Sequence, residues 1–146
     1  MAQIASRTEH SKYDDLALRR ILRNKAKVSE AISSSAQLLA KDLKAQAILV
    51  TSLSGQTARY VSSYRPELPI FVATNSEKVK RQLNLSWGVV PFVLPRCKTI
   101  EELTDRSLAY LRINKLAKIK DKIIIIAGFP VGRSGTINWI NIHEIK

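Results

Sequence analysis

Near the start of the chain, apolar residues recur at intervals of three and four positions. The residues with this spacing are Val28, Ile32, Ser35 or Ala36, Leu39 and Leu43. Such spacing places side chains on one face of a helix, so it predicts an amphipathic helix over residues 28–43. Three consecutive serines, residues 33–35, lie in its middle. They have indifferent helix propensity, and we expect them to allow close packing or to face water.

The rest of the chain alternates short β-branched runs with helix-like segments. The runs typical of buried strands are residues 47–51, 69–73, 89–94 and 122–127. Predicted helices cover residues 55–64, run from Ser76 to about residue 85, and run from Thr99 towards residue 116. Thr99 and Glu102 have capping-box spacing. A polar–apolar alternation over residues 136–142 predicts a final, half-exposed strand.

This order of elements predicts an α/β fold with three layers. We expect a mostly parallel five-stranded sheet with helices on both faces. The last strand follows a loop that is too short for a parallel crossover, so it is predicted to be antiparallel. Trp139 and Ile140 on this strand either pair with another chain at the sheet edge or pack under a helix of the same chain.

Length and composition suit a single globular domain in a reducing compartment. The chain has 146 residues, of which 45% are hydrophobic and 25% charged. The single cysteine, Cys97, rules out an internal disulfide. The first residues lack the pattern of a signal peptide, and no apolar run approaches the ~20 residues that span a bilayer. We therefore expect a cytoplasmic protein with no membrane partner.

The charge is less ordinary. Twenty-four Lys and Arg against twelve Asp and Glu give a net charge of +12. Such a surface attracts phosphate metabolites, nucleic acid or an acidic protein surface. The basic residues are spread along predicted helices, where a solvated face is the ordinary interpretation.

One candidate site follows the first strand. Residues 51–57 combine four hydroxyls with a glycine, ahead of a predicted helix whose first N–H groups are free to bind an anion. The candidate phosphate ligands are Ser52, Ser54, Gly55, Gln56 and Thr57. Ordinary helix capping by Ser52 or Ser54 is the alternative. The stretch lacks the Lys-Ser/Thr ending of a Walker A motif, so it does not indicate nucleotide hydrolysis.

A second candidate loop, residues 128–135, follows the fourth strand. Its candidate ligands are Gly132, Arg133, Ser134 and Gly135. Arg133 offers a bidentate contact to an anion, whereas the alternative is a loop that needs its glycines for its own turns. Both loops follow parallel strands, and ligands bind beyond the carboxyl ends of such strands.

The sequence shows no credible catalytic or metal-binding set. His10 and His143 are the only histidines, and no Cys, His or carboxylate spacing resembles a metal site. Nothing places a nucleophile beside His143. We therefore expect no catalytic residue, metal ligand or cofactor in this chain.

Several stretches resemble the C-terminal domain of pyruvate kinase, in order and over nearly the full length. They are AQAILV at 45–50, SGQTAR at 54–59, SYRP at 63–66, WGVVP at 87–91, AGFPVG at 127–132 and GTIN at 135–138, with His143 near the end. The resemblance divides the chain into residues 1–25, a helical segment that links to an absent catalytic barrel, and residues 26–146, the α/β domain.

The resemblance also implies a function. In this family the domain is regulatory, and sugar-phosphate effectors, fructose 1,6-bisphosphate in many members, bind between the two loops described above. The domain contacts neighbouring subunits of a tetramer. Phosphoryl transfer from phosphoenolpyruvate to ADP in glycolysis, with Mg²⁺ and K⁺, takes place in the barrel. Many members carry Arg where this chain has Gln56, which replaces a charged donor with a neutral one.

Two other functions remain open from the residues. The charge of +12 suits a non-enzymatic module that binds nucleic acid or another polyanion, although the sparse aromatic residues speak against a single-strand binder. The other is a small-molecule binder or enzyme that acts at the same two loops, which the lack of an acid–base pair disfavours.

Overall fold

The computed structural model describes residues 28–128, 131 and 137–146. The described helices are α1 (Val28–Asp42), α2 (Gln56–Ser63), α3 (Glu77–Leu83) and α4 (Ile100–Ile113). The described strands are β1 (Ala47–Thr51), β2 (Ile70–Thr74), β3 (Val89–Val93), β4 (Lys122–Ala127) and β5 (Trp139–Glu144). The predicted linking segment, residues 1–25, and its boundary with the domain lie outside the described residues.

Within the described residues the strands form one five-stranded sheet in the order β3-β2-β1-β4-β5. The first four strands are mutually parallel. Strand β5 runs antiparallel to β4, with Ala127 opposite Trp139 and Lys122 opposite Glu144. The predicted α/β class and the antiparallel last strand are therefore confirmed.

The sheet is buried on both faces by two separate apolar clusters. Ile48 and Val50 of β1 pack with residues of α1, α2 and α3 on one face. Ala47 and Leu49 of the same strand pack with residues of α4 on the other. Since successive side chains of a strand point to opposite faces, the continuous apolar run of β1 fits this three-layer arrangement.

Helix α1 packs most of its predicted face on the core, because Ala36 is buried and Ile32, Leu39 and Leu43 pack against the same cluster. Val28, expected on the core face, is 66% exposed, while Ser33 is fully buried. The Ser33 hydroxyl donates to the carbonyl of Ser29 at 2.7 Å, and the Ser34 hydroxyl donates to that of Ala31 at 2.9 Å. These bonds satisfy the hydroxyls within the helix, so two of the three serines serve close packing and only Ser35 is exposed.

The last strand starts later than predicted. It begins at Trp139, and Thr136, where the alternation begins, lies outside the described residues. Trp139 packs against the cluster on the α4 side and Ile140 against the cluster on the opposite face. Both are therefore half-buried within the chain, whereas Ile142 is exposed. The expected alternation is imperfect because β5 lies at the edge of the sheet, where cover is incomplete.

The parallel arrangement gives the domain two different edges. The helices begin near the carboxyl ends of the parallel strands, which we call the carboxyl edge, and end near their amino ends, the amino edge. First turns at the carboxyl edge carry Glu30 in α1, Glu77 in α3, and Glu101 and Glu102 in α4. Last turns at the amino edge carry Lys41, Lys80, Arg81 and Arg112. Both preferences match the helix dipole.

Candidate functional site

The first candidate loop lies at the point where the strand order reverses. From β1 the chain proceeds outward to β2 and β3, whereas β4 and β5 lie on the other side of β1. Open α/β sheets bind ligands at the carboxyl ends of strands that flank such a point. Here β1 and β4 are adjacent and parallel, and the Thr51 hydroxyl donates to the Ile126 carbonyl at 3.4 Å. Residues 52–55 therefore leave the sheet directly beside the end of β4.

Ser52 holds the turn that follows β1. Its hydroxyl accepts from the backbone N–H of Gly55 at 3.0 Å in a buried setting, and its own N–H donates to the Ala73 carbonyl at 3.0 Å. Both bonds fix the loop to the sheet. Ser52 is buried, so its role is to shape the turn, and it does not present a hydroxyl to solvent.

Gly55 is required by the geometry of this turn. Its φ of +77° lies in the left-handed region, which favours glycine. A Cβ atom at this position would lie 3.2 Å from both Leu83 Cδ2 and Val79 Cγ1 of α3. The glycine therefore allows both the backbone conformation and the close approach of α3 to the turn.

The amino end of α2 lacks the charge compensation seen in the other helices. Gly55 is the N-cap residue and, having no side chain, makes no capping hydrogen bond of its own. The Ser54 hydroxyl accepts from Gln56 N–H only at 3.4 Å. The first turn contains no acidic residue, unlike those of α1, α3 and α4. The two serines thus accept from the N–H groups of Gly55 and Gln56, as the capping alternative expected. Among the described residues, no side chain accepts from the N–H groups of Thr57 and Ala58, which remain for a ligand.

The remaining side chains of this loop differ in their access to solvent. Ser54 and Gln56 are exposed, and Thr57 is buried. The Gln56 amide donates to the Tyr60 hydroxyl at 3.4 Å, a long contact between exposed groups. Ser54 and Gln56 therefore present polar atoms to solvent at the helix end.

The structure describes the residues on either side of the ligands predicted in the second candidate loop. Gly132, Arg133, Ser134 and Gly135 lie outside the described residues. The chain leaves β4 after Ala127, and Asn138 N–H donates to the Ala127 carbonyl at 3.4 Å where it returns. Both ends of this segment thus lie at the carboxyl edge, next to β1.

Thr74 is a polar residue at this edge that sequence reasoning missed. It ends β2, is buried, and its hydroxyl oxygen has no hydrogen-bond partner among the described residues. The only signal in the sequence is a polar residue that closes a buried apolar run.

Cys97 and Tyr64 do not have the electrostatics of activated groups. Burial raises the pKa of the Cys97 thiol, Glu102 raises it further, and Arg106 opposes them. Burial and Glu30 raise the pKa of Tyr64. Over the described residues there is also no cluster of three or more His, Cys, Asp or Glu that could hold a metal ion. No described helix is long and apolar enough to cross a membrane.

Comparison with known proteins gives one consistent result. The model of the pyruvate kinase alpha/beta domain matches residues 30–143. The chain is 35% identical over 147 residues to a pyruvate kinase of Geobacillus stearothermophilus, a match that covers all of this chain and 25% of that protein. A Clostridium acetobutylicum pyruvate kinase is also 35% identical, with all of this chain and 31% of that protein covered. A third, from Sporosarcina psychrophila, is 38% identical over 118 residues.

These matches agree with the fold and the order of its elements. All of this chain aligns with the Geobacillus and Clostridium pyruvate kinases, but it spans only about a quarter of their length. The alignment reaches both candidate loops and the antiparallel β5. The chain therefore belongs to the family of the pyruvate kinase alpha/beta domain, the C-terminal domain of that enzyme.

Proposed function

We propose that this chain is the effector-binding and subunit-contact domain of a pyruvate kinase. The observation that carries the proposal is the open amino end of α2, which has a glycine N-cap and no acid in its first turn. Backbone N–H groups and the positive end of a helix bind phosphate well. The expected ligand is a sugar phosphate, such as the fructose 1,6-bisphosphate of many family members.

Each residue of the first loop takes a distinct part in this proposal. Ser54 and Gln56 are exposed and donate to a phosphate from their side chains. Gly55 lets the phosphate approach the backbone, and Ser52 holds the turn through its bond to Gly55 N–H. Buried Thr57 contributes its backbone N–H, which lies in the first helical turn.

The second loop supplies the other half of the proposed site. Arg133 would hold a second phosphate through a bidentate contact, with Gly132, Ser134 and Gly135 shaping the loop around it. This part is supported by the family resemblance and by the position of β4 beside β1. A bisphosphate would then bridge two loops that follow adjacent strands.

The regulatory mechanism that we propose is a coupling between binding and domain packing. A ligand that fixes both loops favours whichever arrangement of the domain, its barrel and its neighbours presents those loops in the bound form. Residues 1–25 would link to the barrel, and the exposed edge of β5 would contact a neighbouring subunit of a tetramer. Catalysis, with Mg²⁺ and K⁺, would remain in the barrel of a cytoplasmic enzyme, and this chain would contribute no catalytic residue.

The test is a thermal-shift titration of the 146-residue chain at physiological salt. The panel contains fructose 1,6-bisphosphate, ribose 5-phosphate, AMP, inorganic phosphate and a short DNA duplex. A ligand at a hundred times its dissociation constant adds about 2.7 kcal/mol of stability, which corresponds to several degrees of Tm. We expect one sugar phosphate to produce this shift.

Ser54 offers a matched pair of variants for this experiment. Ser54→Asp adds a negative charge at the end of α2, whereas Ser54→Asn adds a neutral side chain of the same shape. We expect the ligand-induced shift to disappear in the Asp variant and to persist in the Asn variant. Gln56→Arg should enlarge the shift, because charge-assisted hydrogen bonds are roughly twice as strong as neutral ones.

Two results would contradict the proposal. An equal ligand shift in the Asp and Asn variants would place the ligand elsewhere than at the amino end of α2. A shift with DNA alone, lost on raising the salt concentration, would favour the polyanion module that the charge of +12 left open.

A further inference from the structure

The amino edge of the sheet carries a concentration of exposed basic residues. It is formed by the connections that lead from each helix into the next strand, together with the end of β5. Its exposed basic side chains are Lys41, Lys44, Arg65, Arg81, Arg112, Lys115, Lys118, Lys120, Lys122 and Lys146. The acidic residues nearby are Asp42, Glu67, Asp121 and Glu144. This edge is therefore strongly positive, and it lies at the opposite end of the sheet from the proposed effector site.

Helix capping accounts for only part of this charge. Lys44 and Lys115 are left-handed residues just after α1 and α4, where a cation complements the helix dipole. Lys118, Lys120 and Lys122 lie beyond the last turn of α4, where the dipole has little effect. Neither of the two ion pairs found among the described residues, Lys80–Glu77 and Arg106–Glu102, involves a residue of this basic set.

Large apolar side chains protrude among these cations. Ile113 is 79% exposed and Ile119 is 68% exposed, on either side of the half-exposed Leu116. In the connection before β3, Leu85 is 93% exposed and Trp87 is 41% exposed. The first group follows α4 and precedes β4, whereas the second follows α3 and precedes β3. Helices α3 and α4 pack on opposite faces of the sheet, so the two apolar groups belong to different connections of the same edge.

We propose that the amino edge is a docking surface for membranes that contain anionic lipids. Ile113, Ile119 and Leu85 have most of their area in water. Such side chains fit a soft phase that can close around them, while a rigid protein partner would need a matching pocket for each. Tryptophan suits the boundary between headgroups and acyl chains. Lysines around the apolar groups attract anionic headgroups without requiring fixed geometry.

The same observations disfavour two other partners, a second copy of this edge and a nucleic acid. A second copy of this edge would bring like charges together. A nucleic acid would be attracted by the lysines but would not use the exposed isoleucines and leucine. Contact with a membrane surface also needs no spanning segment, so it is compatible with helices too short to cross a bilayer. The proposal stands independently of the effector site.

The test is co-sedimentation of the 146-residue chain with vesicles of phosphatidylcholine, with and without phosphatidylglycerol. We expect binding only to the anionic vesicles, weakened by salt. Ile113→Ser with Ile119→Ser should weaken binding by at least about tenfold. Val28→Ser, at an exposed position at the carboxyl-edge end of α1, should leave binding unchanged.

A second pair of variants tests the cations. Lys115→Asn with Lys120→Asn removes two charges at positions of positive φ, where asparagine is well tolerated. At about 1 kcal/mol for each lysine near a membrane, binding should fall about 30-fold. Lys78→Asn with Arg96→Asn removes the same charge from the other edge and should have little effect. All variants retain residues 1–27, so any binding by that basic segment is common to them.

Three results would overturn the proposal. The first is that the chain does not bind anionic vesicles at low salt. The second is that the Ile113/Ile119 variant, with its fold confirmed by circular dichroism, binds as well as the unchanged chain. The third is that the Lys115/Lys120 and Lys78/Arg96 variants lose the same amount of vesicle binding. If duplex DNA displaced the vesicles, and if the isoleucine substitutions did not change its affinity, the edge would instead be assigned to nucleic acid.

Discussion

At the carboxyl edge, α1, α3 and α4 carry glutamates in their first turns, and the loop after β1 presents hydroxyls, a glycine and backbone groups. At the amino edge, the connections present lysines and exposed apolar side chains. A strand of five residues spans about 17 Å, whereas charges are screened over about 8 Å at physiological salt. The lysines of the amino edge therefore add little to phosphate binding at α2.

This separation changes how the net charge of +12 is interpreted. A strongly basic protein with a phosphate-binding motif suggests that the charge surrounds the phosphate. In the described residues the motif relies on local dipoles, and the excess charge lies largely at the opposite edge. Phosphate binding at α2 should consequently depend weakly on salt, while membrane binding should depend on it steeply.

The largest effect that we predict on stability comes from the left-handed glycine of the carboxyl edge. Gly55→Ala places a Cβ atom at φ +77° and 3.2 Å from Leu83 and Val79. Left-handed strain of about 1–2 kcal/mol and overpacking of about 1–3 kcal/mol should together lower the free energy of unfolding by about 3 kcal/mol. Urea denaturation followed by circular dichroism measures this change.

Gly88→Ala is the matched control at the amino edge. Gly88 also has a positive φ, of +64°, but its added Cβ would meet only the Leu68 carbonyl oxygen, at 4.0 Å. The loss should be about 1–2 kcal/mol, from backbone strain alone. Equal losses at the two positions would mean that contact with α3 does not constrain the phosphate loop.

Ser52→Ala should have the next largest effect. It leaves the buried Gly55 N–H without its acceptor at 3.0 Å, and an unsatisfied buried donor costs about 1–3 kcal/mol. Ser54→Ala removes only the exposed 3.4 Å contact to Gln56 and should change stability by less than about 0.5 kcal/mol. If both substitutions had the same effect, Ser52 would not be the residue that holds the turn.

At the amino edge we predict a substitution that raises the free energy of unfolding. Lys115 has a φ of +56°, and its N–H donates to the Arg112 carbonyl at 3.0 Å, as in a Schellman motif. Lys115→Gly removes the left-handed strain and should raise the free energy of unfolding by about 0.5–1 kcal/mol. Lys118→Gly, outside the left-handed region, should not stabilise the chain. A destabilising Lys115→Gly would show that the lysine side chain itself holds the end of α4.

The sequence predicted the central strands well for a physical reason. Strands β1 and β4 are buried on both faces, so they read as continuous apolar runs with the bounds observed. Gly55 was also identifiable, because a turn between a strand and a helix commonly needs a left-handed residue. The cap of α4 was predicted in part. Thr99 accepts from Glu102 N–H at 3.1 Å, but the Glu102 carboxylate accepts from Lys98 N–H and not from Thr99.

The failures of prediction concentrate at exposed apolar residues. The helices were expected to continue to about residue 85 and towards residue 116, but α3 ends at Leu83 and α4 at Ile113. Leu85 and Leu116 extend the apolar pattern although they face solvent. Periodicity cannot distinguish an apolar residue that faces the core from one that faces solvent, so Leu85 and Leu116 account for the later helix ends that the sequence predicts.

The smallest predicted effect concerns Cys97, at the carboxyl edge. Burial, followed by Glu102, raises the pKa of its thiol, and the thiol donates to the Pro95 carbonyl at 3.3 Å. Because thiolate is the reactive form, iodoacetamide should modify Cys97 more slowly in the folded chain than in urea. Glu102→Gln, which keeps an acceptor for Lys98 N–H, should raise the folded rate slightly.

The raised pKa of the Cys97 thiol also determines how the stability of the fold changes with pH. The folded chain holds the Cys97 proton more tightly than the unfolded chain, so the associated stability is present below the thiol pKa of the unfolded chain and is lost as pH rises above it. Cys97→Ser should therefore reduce the decline of Tm on the alkaline side of that value. A decline that is the same in both proteins would assign the loss to other groups, among them Tyr64, whose pKa is raised in the same direction.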